Sequence, residues 1–438
     1  MIKRKLLDLL RKHVPEMGIT LITGPRQAGK TFLMNLLKKE LDGRGEKTLF
    51  LNLDIEADKT FFSTQTRLLQ KIELELGKQR GYVFIDEIQR KENAGLFLKG
   101  LADMNLPYKF IVSGSGTIGI KDQIPESLVG RKRLFKLGTV SFEEFVDYKT
   151  GEKYTDRLGD FFAVEVDKTL YLLLEYLNYG GYPRVITAET AEQKRLQIDE
   201  IYTSYIERDI SVLLKIEKPE AYRNLVKILA SQIGQLINYS ELSNTVGISA
   251  PTLKSYLYYG EETFIFQRLS PYATNVRKEI TKSPTLYFYD LGLRNYCLGQ
   301  FGQLRTPMEL GYVFENFVYN LLMDKLKTTG STLHYWRSKD QAEVDFVIHG
   351  GKQLIPVEVK YKESKKKLVT PSLRSFITRY APSIALIVNP YESEALKIES
   401  ADVHFLQPWG DEFDRLISKG ESNLRPFPVE GTTVYPGS

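Results

Sequence analysis

Gly24-Pro25-Arg26-Gln27-Ala28-Gly29-Lys30-Thr31 is the stretch whose reading decides the fold. Before it, Gly18-Ile19-Thr20-Leu21-Ile22-Thr23 reads as a short buried strand. After it, Phe32 to Lys39 has the apolar spacing of a helix. A glycine-rich turn between strand and helix, ending in Gly-Lys-Thr, is the Walker A phosphate-binding pattern. Gly24 and Gly29 allow the tight bend that turns backbone N–H groups toward phosphate oxygens, and the helix N-terminus adds positive potential. The residues expected around a nucleotide run without a break from Gly24, Pro25, Arg26, Gln27, Ala28 and Gly29 to Lys30, Thr31 and Phe32. Lys30 is expected to reach the β- and γ-phosphates, and the Thr31 hydroxyl to ligate Mg²⁺.

Working outward, residues 1–14 read as an amphipathic helix and Lys47 to Asp54 as a second strand. Tyr82-Val83-Phe84-Ile85-Asp86-Glu87-Ile88-Gln89 is a third, with the Walker B pattern of apolar residues followed by two acids. Asp86 is expected to hold Mg²⁺ through water, and Glu87 to act as general base on the attacking water. Tyr108 to Ser115 is a further strand, ending in small polar residues; Ser113 or Ser115 is placed to sense the γ-phosphate. Alternating strands and helices predict a parallel sheet with nucleotide at the strand C-terminal ends. No Asn-Lys-x-Asp segment for reading guanine is present, so ATP is the expected nucleotide. Residues 1–155 are therefore expected to be an α/β P-loop NTPase domain.

This segment resembles an AAA-type ATPase family of archaea and bacteria. The resemblance is carried by Thr23 to Thr31, Phe84 to Gln89, Ser113-Gly114-Ser115, Leu128-Val129-Gly130-Arg131 and Ser141-Phe142-Glu143-Glu144-Phe145. It implies ATP hydrolysis and suggests Arg131 as a charge sensor or finger, with a salt-bridged surface residue as the alternative. A small lid domain with its own sensor arginine is not legible.

Residues 156–304 read as a helical and winged-helix domain. Tyr171 to Leu177 and Ala191 to Leu214 look helical, separated by the Tyr179-Gly180-Gly181-Tyr182-Pro183 loop. That loop and Glu207-Arg208-Asp209 resemble the uncharacterised domain that commonly follows this ATPase. Arg208 and Asp209 are candidates to contact the nucleotide domain or to form an ion pair. Further on, Ser240 is a candidate cap for a short helix, Gly247-Ile248-Ser249 a tight turn, and Pro251 the first position of a second helix reaching Tyr259. Two strands follow, Thr263 to Leu269 and Pro284 to Asp290, joined by a basic segment. Helix, turn, helix and hairpin predict a winged helix. On DNA, Thr252, Lys254 and Ser255 would face the major groove, and Arg277, Lys278 and Lys282 the phosphates. Winged helices also bind proteins, and that alternative stays open.

Residues 305–438 read as an α/β domain. A helix spans Tyr312 to Leu322 and carries Glu315; three strands follow, Leu333–Arg337, Ala342–Ile348 and Gln353–Tyr361. Glu358 and Lys360, two apart on a strand, share a face, and the hairpin can bring Asp345 beside them. Asp345 and Glu358 suit Mg²⁺ or Mn²⁺, the Val359 carbonyl adds an oxygen, and Lys360 would orient water and stabilise developing charge. The arrangement resembles the PD-(D/E)xK nuclease superfamily, a restriction-endonuclease-like fold, with helical Glu315 completing the metal shell. Such domains can also keep the fold and only bind DNA. The tail beyond Ile417 is expected to be partly disordered.

Composition sets bounds. The chain has 438 residues, 42% hydrophobic and 26% charged, with net charge +5, a mild excess that permits nucleic-acid contact without arguing for it. Cys297 is the one cysteine, so neither an intramolecular disulfide nor a cysteine metal site is possible, and His13, His334, His349 and His404 lack zinc spacing. No apolar run reaches membrane length and no cleavable leader is legible, so a cytoplasmic protein with no membrane partner is expected. The whole reads as an ATP-hydrolysing AAA-type ATPase that binds DNA and carries a metal-dependent nuclease-like domain. The alternative is an ATP-driven signalling or scaffold switch, or a toxin–antitoxin or defence component, whose C-terminal domains bind protein and do not cleave DNA. A protein partner or a second copy of the chain stays open.

Overall fold

The computed structural model describes residues 1–16, 18–115, 132–205, 218–273, 275, 279, 282–351, 353–362 and 369–418. Arg131, Arg208, Asp209, Arg277, Lys278 and the tail beyond Ser418 lie outside the described residues, as does the side chain of Ser115. The chain forms two compact units: Met1–Leu269 with Ser283–Phe317, and Ser270–Lys282 with Val318–Ser438.

In the first unit five strands make one all-parallel sheet: β1 (Ile19–Gly24), β2 (Thr48–Asn52), β3 (Gly81–Asp86), β4 (Tyr108–Ser115) and β5 (Lys132–Lys136), in the order β2-β3-β4-β1-β5. Every residue of β1 and β3 is buried, as a parallel sheet covered on both faces requires. Ile19, Leu21, Val83, Ile85, Phe110 and Val112 pack one face against the helices Gln65–Leu76 and Ala94–Asp103. Ile22, Tyr82, Phe84, Ile111 and Phe135 pack the other against Leu6–His13 and Lys30–Gly43. The sequence alone does not announce β5. Lys132-Arg133-Leu134-Phe135-Lys136 shows only Phe135 as a buried residue, because it is an edge strand.

The same unit continues through the helices Val166–Tyr179 and Ala191–Thr203, then Pro219–Ser231, Tyr239–Val246 and Ala250–Glu262. The Gly180-Gly181 loop is packed tight. Asp290 accepts a hydrogen bond from the Gly181 N–H at 2.8 Å, and a Cβ at Gly181 would lie 2.4 Å from the Val140 carbonyl oxygen. The antiparallel pair β6 (Phe266–Leu269) and β7 (Thr285–Phe288) follows. Two capping expectations shift. Asn238, not Ser240, caps Tyr239–Val246 by accepting from the Glu241 N–H at 3.2 Å, because the helix begins one residue before Ser240. Ser249 caps the next helix, which starts at Ala250, so Pro251 takes its second position.

The second unit holds a six-stranded mixed sheet of β8 (Thr332–Arg337), β9 (Glu343–Gly350), β10 (Gln353–Val359), β11 (Ile384–Val388), β12 (Glu394–Ile398) and β13 (Ala401–Leu406), in the order β12-β13-β11-β10-β9-β8. Its core includes Trp336, Val344, Val347, Ile387, Val403 and Phe376 from the helix Pro371–Tyr380. The segment leaving β6 also belongs here. Pro271 bridges Tyr335 in parallel, the Tyr272 N–H donates to the Tyr335 carbonyl at 2.6 Å, and the Tyr272 ring meets His334, His349 and Tyr380.

Candidate functional site

The turn after β1 is tightly packed around its glycines. Gly24 has φ +154°, and a Cβ there would lie 1.9 Å from the Leu137 carbonyl oxygen, so no side chain fits. Gly29, at φ 97°, caps the helix Lys30–Gly43 in the left-handed region that glycine alone adopts cheaply. Lys30 is 4% exposed and its ammonium donates to the carbonyls of Gly24 at 2.9 Å and Pro25 at 2.8 Å. Ala28 is fully buried, while Phe32 is 49% exposed in the first helical turn.

Asp86 ends β3 and is 1% exposed. The Thr31 hydroxyl donates to one of its oxygens at 2.7 Å, and the Ser113 hydroxyl of β4 donates to the other. The next residue, Glu87, turns into the left-handed region at φ 57°. Its backbone N–H reaches the Ser113 hydroxyl at 3.4 Å, and the Gln89 amide donates to its carboxylate. Lys30, Thr31, Asp86, Glu87 and Ser113, drawn from three segments of sequence, thus lie at one end of the sheet.

Three further side chains hold this site, and from the sequence alone none of them has a place in it. Arg4 pairs with Glu144 at 3.0 Å, both side chains 9% exposed, and donates to the carbonyls of Ala28 at 2.9 Å and Gly138 at 2.8 Å. Glu144 also closes the capping box with Ser141, the one local sign of its role. No motif announces Tyr205. Its buried hydroxyl accepts from the Arg26 N–H at 2.9 Å, and Gln27 reaches Ser204 at 3.5 Å. A cleft of about 500 Å³ opens between the loop and the helix Ala191–Thr203, lined by Arg26, Gln27, Glu87, Asp199, Glu200 and Ser204 among others.

The second unit gathers its own group. The Asp345 carboxylate accepts from the Val359 N–H at 2.7 Å. Glu358, 5% exposed, accepts from the Thr370 hydroxyl at 2.8 Å and pairs with the Lys360 ammonium at 2.8 Å. Thr370 is also the N-cap of Pro371–Tyr380, accepting from the Leu373 N–H. Asp345 is half-buried. Desolvation pushes its carboxyl well above the ordinary range; the Val359 N–H and Lys360 oppose the rise, while Glu358 and Glu343 add to it. Glu315 belongs to the first unit, where it accepts from the Tyr287 hydroxyl at 2.8 Å. Among the described residues, no group of three or more His, Cys, Asp or Glu side chains is gathered as a metal site.

The loop, the two strand-end carboxylates and the cleft make up the N-terminal site. Residues 16–146 match the family model of an AAA domain. The AAA domain is followed by matches to two models described as domains of unknown function, over residues 170–304 (DUF8612) and 310–407 (DUF4143). An uncharacterised protein of Mycobacterium tuberculosis is 28% identical over 387 residues, covering 87% of this chain and 79% of that protein. One of Haemophilus influenzae is 24% identical over 401 residues, covering 89% and 94%. Among solved structures, the replication initiator DnaA bound to AMPPCP and single-stranded DNA aligns with 60% of this chain and 90% of its own, at 15% identity and TM-score 0.31. No helix among the described residues is long and apolar enough to cross a membrane.

Proposed function

We propose that the AAA domain binds and hydrolyses ATP, and that the rest of the chain acts on DNA under its control. The observation that carries this reading is the Thr31–Asp86–Ser113 hydroxyl–carboxylate cluster beside Lys30 at the phosphate loop. A hydroxyl and a carboxylate are hard oxygen donors of the kind Mg²⁺ takes, so Thr31 and Asp86 would hold it. When bound, the ion would neutralise phosphate charge. Lys30 would exchange its two loop carbonyls for phosphate oxygens. Glu87 would orient a water and take its proton, with Gln89 holding the carboxylate in place. Ser113 would fix Asp86 and the start of the Glu87 turn. Radiolabelled ATP binding and turnover test this. Glu87→Gln is expected to bind ATP and turn it over at least about a hundredfold more slowly; unchanged turnover would remove Glu87 from its role.

On this reading the functional parts are residues 1–155, 156–304 and 305–438. Lys254 and Ser255 are exposed and Thr252 half-exposed on Ala250–Glu262, as a groove-reading helix requires. Asp345 and Glu358 would hold Mg²⁺ or Mn²⁺, with Lys360 beside them for phosphodiester cleavage. Plasmid and linear DNA incubated with either metal, with and without ATP, provides the test. Cleavage lost in Asp345→Ala and altered in Lys30→Ala supports an ATP-regulated nuclease; intact DNA with retained gel retardation leaves a DNA-binding ATPase.

One observation favours the second reading, a signalling or scaffold switch. The connection from β6, expected as a wing, hydrogen-bonds through Tyr272 to Tyr335 on the edge strand β8. Its backbone there serves a sheet rather than a phosphate backbone. Absence of both cleavage and DNA retardation would move the conclusion to this reading.

A further inference from the structure

The helix Ala191–Thr203 serves two clefts. Leu196, Asp199, Glu200 and Thr203 line the cleft at the phosphate loop. Arg195, and Tyr202 near its end, line a second cleft of about 460 Å³ on the first unit, together with Arg223 and Lys227 of Pro219–Ser231 and Tyr296 and Cys297 of Leu291–Cys297.

The chemistry of this second cleft is specific. Arg195, Arg223 and Lys227 are exposed at its rim, with Glu220 as the acid among the lining residues. Arg223 and Lys227 stand four apart on one helix, so both side chains lie on the same face. The floor is aromatic: Tyr202 and Tyr296 have ring centroids 5.3 Å apart, and Tyr296 and Phe301 6.3 Å. The Tyr296 hydroxyl donates to Asp199, which fixes its ring, and burial with that bond pushes the hydroxyl up to about 12. Burial likewise pushes the Cys297 thiol up to about 12. Cations at the rim and rings on the floor are the two complements of a nucleotide unit, a phosphate joined to a stacking base.

The geometry points to a second nucleotide-recognising site here, in which the Tyr202–Tyr296 rings stack a base and Arg195, Arg223 and Lys227 pair with its phosphate. Both a free nucleotide and a single-stranded nucleic acid carry this chemistry. Asp199 lines the phosphate-loop cleft and also holds Tyr296, so occupancy of one cleft bears on the other through one side chain. The site is independent of the winged-helix reading, which Lys254→Ala tests separately.

The experiment uses the full chain carrying Lys30→Ala, which takes the cation out of the phosphate loop, and the rim variants below separate binding there from binding at the loop. Fluorescence anisotropy is read with a short labelled oligodeoxythymidine and, separately, with a fluorescent ATP analogue. Binding of the oligonucleotide identifies a strand as the ligand; binding of the analogue alone identifies a free nucleotide. In either case Arg223→Ala with Lys227→Ala, both on the surface, is expected to weaken binding at least about tenfold. If the ligand is the strand, the double variant also lowers the log–log salt slope by roughly one unit or more. Tyr202→Ala is expected to cost about tenfold, and Tyr202→Phe, which keeps the ring, almost nothing. No binding of either probe, or equal binding by the unaltered rim and the double variant, overturns the site. So does a Tyr202→Phe loss as large as that of Tyr202→Ala.

Discussion

The carboxylate at the end of β3 and the pair on β9 and β10 are built from similar parts and given different donors. Asp86 is buried, yet two hydroxyls from Thr31 and Ser113 satisfy its oxygens. Glu358 has a comparable arrangement, with the Thr370 hydroxyl on one oxygen and the Lys360 ammonium on the other. The Asp345 carboxyl receives the Val359 N–H, and that donor does not offset the desolvation that raises it. Desolvation therefore outweighs the N–H and the Lys360 charge at Asp345. The N-terminal group is finished within three contiguous motifs, while the C-terminal group draws on β9, β10 and a helix cap.

The largest expected effect breaks the comparison on the N-terminal side. Lys30→Ala should cut ATP turnover by at least about a hundredfold, because the loop loses the cation that meets developing phosphate charge. A coupled-enzyme assay reads it, and retained turnover would place the chemistry elsewhere. Arg4→Ala comes next. It strips a buried partner from Glu144 and leaves the carbonyls of Ala28 and Gly138 without this donor, for about 3–5 kcal/mol of stability. A urea melt that moves by less than about 1 kcal/mol would show the pair to be dispensable.

Asp345→Asn sharpens the C-terminal side. The folded chain keeps a proton on Asp345 that the unfolded chain releases near the ordinary value of 3.8. Stability therefore falls as pH rises from that value through the raised folded one, by about 1.4 kcal/mol for each pH unit between the two. An asparagine at this position cannot ionise, so the variant should lose that pH dependence and melt higher at neutral pH. Melting curves across the mildly acidic to neutral range decide it; parallel curves for the two chains would show Asp345 to be ordinary. The smallest effect is expected from Tyr205→Phe. Removing the hydroxyl takes away the bond to the Arg26 N–H, about 0.5–1.5 kcal/mol, and on the proposed reading frees that N–H for a phosphate oxygen. Nucleotide titration should show binding a few-fold tighter, whereas weaker binding would make Tyr205 part of the cradle.

The N-terminal group was readable because its chemistry is local. Gly24, Gly29, Lys30 and Thr31 lie within one turn, and β3 announces Asp86 with an unbroken apolar run. What escaped was non-local or masked by an edge. Arg4 meets Glu144 across 140 positions, and Tyr205 meets Arg26 across 179, so no spacing rule links them. In β5 the edge position replaces apolar residues with Lys132, Arg133 and Lys136, and the strand loses its signal. On the C-terminal side the hairpin and the Glu358–Lys360 spacing were legible, since β9 and β10 pair around the Gly350-Gly351 turn. Thr370 was not, because its hydroxyl serves a helix cap and a carboxylate at once.

The short segment Ser270–Lys282 belongs to the second unit although the first resumes at Ser283. The polypeptide therefore passes from one unit to the other at three places. During synthesis, residues 270–282 leave the ribosome before the partner Tyr335 exists, and they must wait for it with the first unit already largely translated. A gene truncated after Leu269 or begun at Val318 severs one unit or the other. A lone C-terminal piece would start without Pro271 and Tyr272, the residues that finish its sheet edge.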